Sequence, residues 1–229
     1  MPTSLHLISS MATRQLLAEL AATYERAHGG TVRVESVGGV DAAQRVRAGE
    51  AFDVVVLAAA AIDELAAAGH VLVGSRVDLV HSGVAVAVPS DAQPPPLATE
   101  AQLREAVLAA RRVGYSTGPS GTALMALFER WGIAAQIRER LVQAPAGTPV
   151  AQLLARGEVS LGFQQRSEML QAPGIRIVGP LPPEVQIITT FSAGIAGSCR
   201  DRAQAQHLID HLASADTAII KQRQGMEPA

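Results

Sequence analysis

Short apolar runs alternate along this chain with stretches whose apolar residues recur every three or four positions. Leu5 to Ile8 reads as a strand, and Leu16, Leu17, Leu20 and Tyr24 then fall on one side of a helix from Arg14 to Ala27. Gly29-Gly30 closes that helix. Thr31 to Val37 alternates like a strand and leads to a helix over Ala42–Ala48. Asp53-Val54-Val55-Val56-Leu57 is continuously apolar after its first residue, as a parallel strand covered on both faces must be, and a helix over Ala61–Ala68 follows. Val77–Val80 and Gly83–Val88 read as strands split by His81-Ser82. Beyond the proline-rich loop at Asp91–Pro96 come a helix over Thr99–Ala110, a strand over Arg112–Tyr115 and a helix over Ala123–Trp131. Ile137–Val142 is helical or extended. A helix over Val150–Arg156, strands over Val159–Phe163 and Ile175–Val178, and a short helix from Ser167 to Leu170 complete the middle of the chain. Val185–Phe191 reads as a strand continued by Gly194-Ile195-Ala196, and helices over Ala203–Ala213 and Asp216–Gln222 end the pattern. Strand and helix in alternation predict an α/β protein with a mostly parallel sheet.

Small, hydroxyl-rich turns separate these strands from the helices that follow them. Ser9-Ser10, Gly38-Gly39 and Ala58-Ala59 occupy such turns in the first part of the chain. Ligands of parallel sheets bind at the carboxyl ends of strands, where these turns gather. The stretch Gly114 to Thr122 is the fullest example, because Thr117, Ser120 or Thr122 can cap the helix while Gly118 and Gly121 admit a close ligand. A helix start carries unpaired N–H groups and a positive dipole end, and no charged residue lies between Tyr115 and Thr122. An anion here is therefore held by hydroxyls and amides. Ala144 to Pro149 forms another such turn, containing Thr148, and Gln164-Gln165 stands at a strand end with one side chain on each face. Arg14 sits in the first turn of its helix, where a cation opposes the dipole; a bound anion accounts for it, and a solvated arginine is the alternative.

The chain has 229 residues, 48% hydrophobic and 17% charged, with a net charge of −2. That is enough to bury a core, and the scattered charge and 3% aromatic content exclude a phosphate-tracking or base-stacking surface for nucleic acid. The lone Cys199 excludes an intrachain disulfide and a multi-cysteine metal site. His207 and His211 have zinc-ligand spacing but lack the adjacent glutamate of a zinc protease, so they read as a surface pair. His81 lies near the break between strands and reads as structural or solvent-facing. No metal or cofactor signature is present. Met1-Pro2-Thr3-Ser4 leads straight into a strand without the features of a secretory signal, and no apolar run approaches ~20 residues. Membrane insertion is not expected. The chain as written is cytoplasmic, or periplasmic if a leader was removed.

Ser9-Ser10, Ser36-Val37-Gly38-Gly39, Asp53 to Ala59, Leu161-Gly162-Phe163-Gln164 and the closing stretch Ala213 to Met226 occur in an order that resembles the type II periplasmic solute-binding fold, in its molybdate-binding branch. The resemblance spans nearly the whole chain. It implies two lobes, each a mostly parallel sheet flanked by helices: residues 1–80 plus 193–229, and residues 84–189, with hinge strands near 80–84 and 189–193. It implies a binding protein closing its lobes on a small anion, with an ABC transporter as a possible partner. Molybdate binders of this branch use two serines from the first turns and a tyrosine from the second lobe. In ungapped register Ala12, Val40 and Gln165 fall at those places, so an organic carboxylate is favoured over molybdate. Related members isomerise aconitate, which makes cis/trans-aconitate isomerisation one alternative and molybdate or tungstate transport another. The expected ligand-binding set is Ser9, Ser10, Arg14, Gly38, Gly39, Ala59, Thr117, Ser120, Gly121, Thr122, Thr148, Gln164 and Gln165. No catalytic residue is identified.

Overall fold

A computed structural model describes residues 4–229; the reading made of Met1-Pro2-Thr3 lies outside the described residues. In chain order the elements are β1 (Ser4–Ser10), α1 (Arg14–His28), β2 (Thr31–Val37), α2 (Gly39–Arg47), β3 (Val54–Ala58), α3 (Ala59–Ala67) and β4 (Val77–Pro89). Next come α4 (Glu100–Ala109), β5 (Val113–Tyr115), α5 (Pro119–Arg130), α6 (Ala134–Ile137), β6 (Leu141–Gln143), α7 (Val150–Ala155), β7 (Leu161–Gln165), α8 (Arg166–Met169) and β8 (Ile175–Pro180). The chain ends with β9 (Ile188–Ile195), α9 (Arg202–Ala213), α10 (Ala218–Arg223) and β10 (Glu227–Pro228). Contacts divide it into a first unit, up to Ser82 together with Thr189–Ala229, and a second unit, Gly83–Ile188.

In the first unit β1 lies between β2 and β3, parallel to both, with Ser9 opposite Ser36 and Val56. β9 runs antiparallel to β3, and β10 pairs with the first part of β4. Successive strand residues point to opposite faces, and both faces are buried. Leu5, Leu7, Val54 and Val56 pack with Leu16, Leu17 and Leu20 of α1 and with Leu208, Ile209 and Leu212 of α9. Ile8, Val55 and Leu57 pack with Ala42, Ala43 and Val46 of α2 and with Ile62 and Leu65 of α3. This double cover explains the unbroken apolar run at Val54–Leu57.

In the second unit β5 lies parallel between β6 and β7. β7 and β8 each run antiparallel to the second part of β4. Val84, Val86, Val113, Leu161 and Phe163 pack on one face against Leu103, Leu124, Leu127 and Phe128. On the other face Ala85 and Ala87 meet Val150, Leu153 and Leu154 of α7. Gly114 and Gly162 let α7 lie close: a Cβ on Gly162 would stand 2.7 Å from Leu154 Cδ1 and 2.8 Å from Val150 Cγ1.

Several expectations are corrected. His81-Ser82 does not split a strand, since β4 runs unbroken through both. The His81 ring bonds Thr190 Oγ1 at 2.9 Å and Ser82 is fully buried, so β4 accommodates both polar residues without interruption. Three helices start earlier than their apolar spacing suggests: α2 at Gly39, α3 at Ala59 and α5 at Pro119. Proline at the first helical position gives up no needed N–H group, and glycine or alanine there adds no apolar mark to the pattern. The span at Ile137–Val142 holds both of its alternatives in part, a single 3-10 turn at Arg138–Arg140 and then β6. Val185 ends a 3-10 turn opened by Pro183, and β9 begins only at Ile188. His207 and His211 meet His28 and Tyr24: Tyr24 Oη bonds His207 Nδ1 at 3.1 Å, and Thr23 Oγ1 bonds His211 Nε2 at 2.9 Å. The pair thus helps join α1 to α9.

Candidate functional site

Every α/β unit of this kind must end its parallel strands at one side, and the helices that follow begin there. In the first unit β1, β2 and β3 deliver Ser10, Val37 and Ala58 to that side. Ser9 and Ser36 are opposite one another, and their hydroxyls bond at 2.7 Å. Ser9 is therefore engaged across the strands. Ser10 differs: it is only 7% exposed, and its Oγ has no hydrogen-bond partner among the described residues. A buried hydroxyl without a partner is uncommon, because desolvation is then uncompensated. Gly39, the first residue of α2, would place a Cβ 3.7 Å from Ser10 Cβ, so this hydroxyl lies beside a helix start.

The first N–H groups of a helix have no acceptor within it, and side-chain caps usually satisfy some of them. Here the caps divide by location. α4 and α9 are capped by Thr99 and Asp201, whose side chains accept from Gln102 N and Gln204 N. α2, α3 and α5, which begin after strand carboxyl ends, and α1, which follows β1 through a 3-10 turn over Met11–Thr13, have no side-chain cap among the described residues. Gly38, Gly39 and Ala59 thus contribute backbone at uncapped helix starts. Arg14 is the first residue of α1, directly after a 3-10 turn over Met11–Thr13; it is exposed, and its side chain makes no hydrogen bond or ion pair among the described residues.

In the second unit the order of residues after β5 differs from the expected one. Gly118, with φ +95°, is the N-cap of α5. Ser120, Gly121 and Thr122 are therefore inside the first turn rather than before it. Thr122 Oγ1 donates to the Gly118 carbonyl at 3.3 Å, and Ser120 Oγ meets Ser116 Oγ at 3.2 Å. A Cβ on Gly121 would collide with the Ser116 carbonyl, so the turn requires glycine there. Thr117 is exposed, and Thr148 closes a turn through its N–H to the Pro145 carbonyl at 2.9 Å.

Gln164 and Gln165 are both buried at the end of β7. Gln164 Oε1 accepts from Val150 N at 2.8 Å, and its Nε2 donates to Glu168 Oε2 at 2.8 Å. Burial pushes the Glu168 carboxyl up to about 7, against the Gln164 amide, which pulls it down. Glu168 belongs to α8, whose first residue, Arg166, is exposed and has a side chain that forms no hydrogen bond or ion pair among the described residues. Neither Arg166 nor Glu168 is in the set expected from sequence. The signal for Arg166 was the one used for Arg14, a cation opening a helix. Glu168 carries no signal of its own, because its state depends on burial.

The comparisons with known proteins agree with this architecture. The family model described as bacterial extracellular solute-binding protein matches residues 5–227. An aconitate isomerase from Pseudomonas sp is 34% identical over 232 residues, covering 99% of this chain and 88% of that enzyme. The periplasmic molybdate-binding protein of Azotobacter vinelandii superposes with a TM-score of 0.81 at 20% identity, covering 97% of this chain and 98% of that one. A tungstate ABC transporter structure from Geobacter sulfurreducens gives 0.75 at 16% identity, over 96% and 98% of the two chains. At such identities the structures speak for the fold. With the family match running through both units, the chain has the type II periplasmic binding fold and belongs to the bacterial extracellular solute-binding protein family.

Proposed function

We propose that the protein binds a small organic carboxylate and that, in its first unit, uncapped helix amides, the Ser10 hydroxyl and Arg14 hold it. The observation that carries this reading is Arg14. It stands in the first turn of α1, where a cation opposes the dipole, and its side chain makes no hydrogen bond or ion pair among the described residues. A guanidinium matches a carboxylate with two parallel hydrogen bonds. Ala12 and Val40, which stand where the resemblance places oxyanion-holding hydroxyls, bring no side-chain donor. Molybdate or tungstate held by backbone amides is the competing reading, supported by the folds of the two structural neighbours.

The 34% identity to an aconitate isomerase favours a tricarboxylate and a further step, isomerisation of aconitate. Handing a ligand to an ABC transporter from outside the cytoplasm is the role that fits if no turnover occurs, and the extracellular description of the family supports it. Calorimetric titration of Arg14→Ala with trans-aconitate tests the reading. A hydrogen bond to a charged group contributes about 1.5–3 kcal/mol, so the variant should bind roughly 10- to 150-fold more weakly. Unchanged affinity would contradict the assignment.

A further inference from the structure

Three of the six histidines meet at one place on the first unit. His28 ends α1, and His207 and His211 stand about one turn apart on α9. The His28 ring lies 4.5 Å from that of His207 and 5.7 Å from that of His211, edge-on to both. The ring of Tyr24 is 4.9, 5.6 and 5.4 Å from those of His28, His207 and His211. The cluster joins two helices whose leucines cover one face of the first sheet.

Hydrogen bonds fix the tautomer of His211. Thr23 Oγ1 donates its one hydrogen to the Leu20 carbonyl at 2.7 Å, so His211 Nε2 donates to Thr23. A second proton must therefore go to Nδ1. Tyr24 Oη is bonded to His207 Nδ1 at 3.1 Å. No carboxylate forms an ion pair with any of the three rings among the described residues.

The charged groups of the surrounding elements are engaged elsewhere or add positive charge. On α1, Glu25 accepts from Val32 N, and Glu19 pairs with Arg223 of α10. On α9, Asp210 accepts from Gln206 Nε2. Arg26 of α1 and Arg202 of α9 are exposed, and Lys221 of α10 is buried. β2 packs Val32 and Val34 toward α1, which leaves Arg33 and Glu35 on its other face. Burial first, and then charge on His28 or His207, pushes His211 below the ordinary histidine value; the Leu20 carbonyl and Asp216 pull the other way. A histidine lowered in this way binds fewer protons in the folded protein than in the unfolded chain. Its contribution to stability is therefore undiminished above about pH 6.5 and is lost as the pH falls below that value.

We propose that His28, His207 and His211 form an acid-sensitive joint, which holds α9 on α1 while the rings are neutral and loosens it when they are protonated. Imidazolium rings at these distances repel, and no paired carboxylate offsets them. The joint lies at the opposite end of α1 from Arg14, so it stands apart from the ligand reading.

The test compares wild type with His28→Gln/His207→Gln and with His211→Gln at about pH 7.5 and about pH 5.5, without ligand. Glutamine keeps a donor for Thr23 or Tyr24 and carries no charge at either pH. Two quantities are measured: the melting temperature, and hydrogen–deuterium exchange in α1 and α9 corrected for the intrinsic effect of pH. Glu168, raised to about 7, acts in the opposite direction, since its neutral form favours the folded state in acid. It is common to all three proteins, so the differences between them carry the result. On going to the lower pH, wild type should lose roughly 2–4 °C or more relative to each variant. Exchange in α9 should rise in wild type alone. Equal changes of melting temperature in all three proteins, or exchange in α9 of wild type that does not respond to pH, would overturn the proposal.

Discussion

Ser10 and Ser9 are adjacent and chemically identical, yet they end in different states. Ser9 points across to Ser36 and is satisfied, whereas Ser10 is buried beside the start of α2 with its hydroxyl unpartnered. A group left in that state lowers the stability of the ligand-free protein and is retained where something else bonds to it. Ser10→Ala should therefore leave the ligand-free melting temperature unchanged or higher. The same variant should weaken anion binding by about 1–3 kcal/mol, since the ligand then loses a donor in a buried place. A drop in ligand-free stability with no change in calorimetric affinity would show that Ser10 serves the fold alone. Residue types were legible in the sequence at this scale, but residue states were not. Ser9, Ser10 and Arg14 can be picked from their place after a strand, but which serine is engaged depends on the register of β1 with β2. Glu168 is one of many surface-patterned acids until β7 and α7 close around it.

At the scale of elements, the starts of helices carry the information. α4 and α9 have side-chain caps, and α1, α2, α3 and α5, which follow strands, have none among the described residues. The sequence pattern anticipates threonine and serine caps at Thr117, Ser120 or Thr122, because the periodic apolar residues of α5 begin only at Leu124. Gly118 in the left-handed region and Pro119 at the first helical position move the start upstream and bring the amides forward instead. That geometry depends on Gly121, against which the Ser116 carbonyl lies too close for any side chain. Gly121→Ala should destabilise the protein by about 1–3 kcal/mol or more, as overpacking against backbone does, read as a lower urea midpoint at unchanged slope. An unaffected midpoint would mean that the turn relaxes without cost and that the start of α5 is not fixed by this contact.

For the molecule as a whole, the alternation of strand and helix was enough to anticipate an α/β fold, because both faces of each sheet are covered and each covering helix repeats every three or four residues; the type II periplasmic binding kind came from the resemblance of particular stretches. β4 is the clearest whole-chain departure. His81 and Ser82 look like a break to any reading of hydropathy, and only the pairing of His81 with Glu227 of β10 and the burial of Ser82 show a continuous strand. The class of ligand is written more faintly than the fold, because relatives and neighbours with this architecture are named for aconitate, molybdate and tungstate. In this chain the Arg14 side chain has no partner among the described residues, and Ala12 and Val40 carry no side-chain donor. The most direct measurement is the thermal shift of the purified protein with trans-aconitate, cis-aconitate, citrate, sulfate, molybdate and tungstate. A ligand at 100 times its dissociation constant stabilises by about 2.7 kcal/mol, which at this size raises the melting temperature by roughly 5–10 °C. The account predicts that rise with the tricarboxylates and little change with the inorganic anions. A rise with molybdate or tungstate alone would contradict it and return the protein to oxyanion binding.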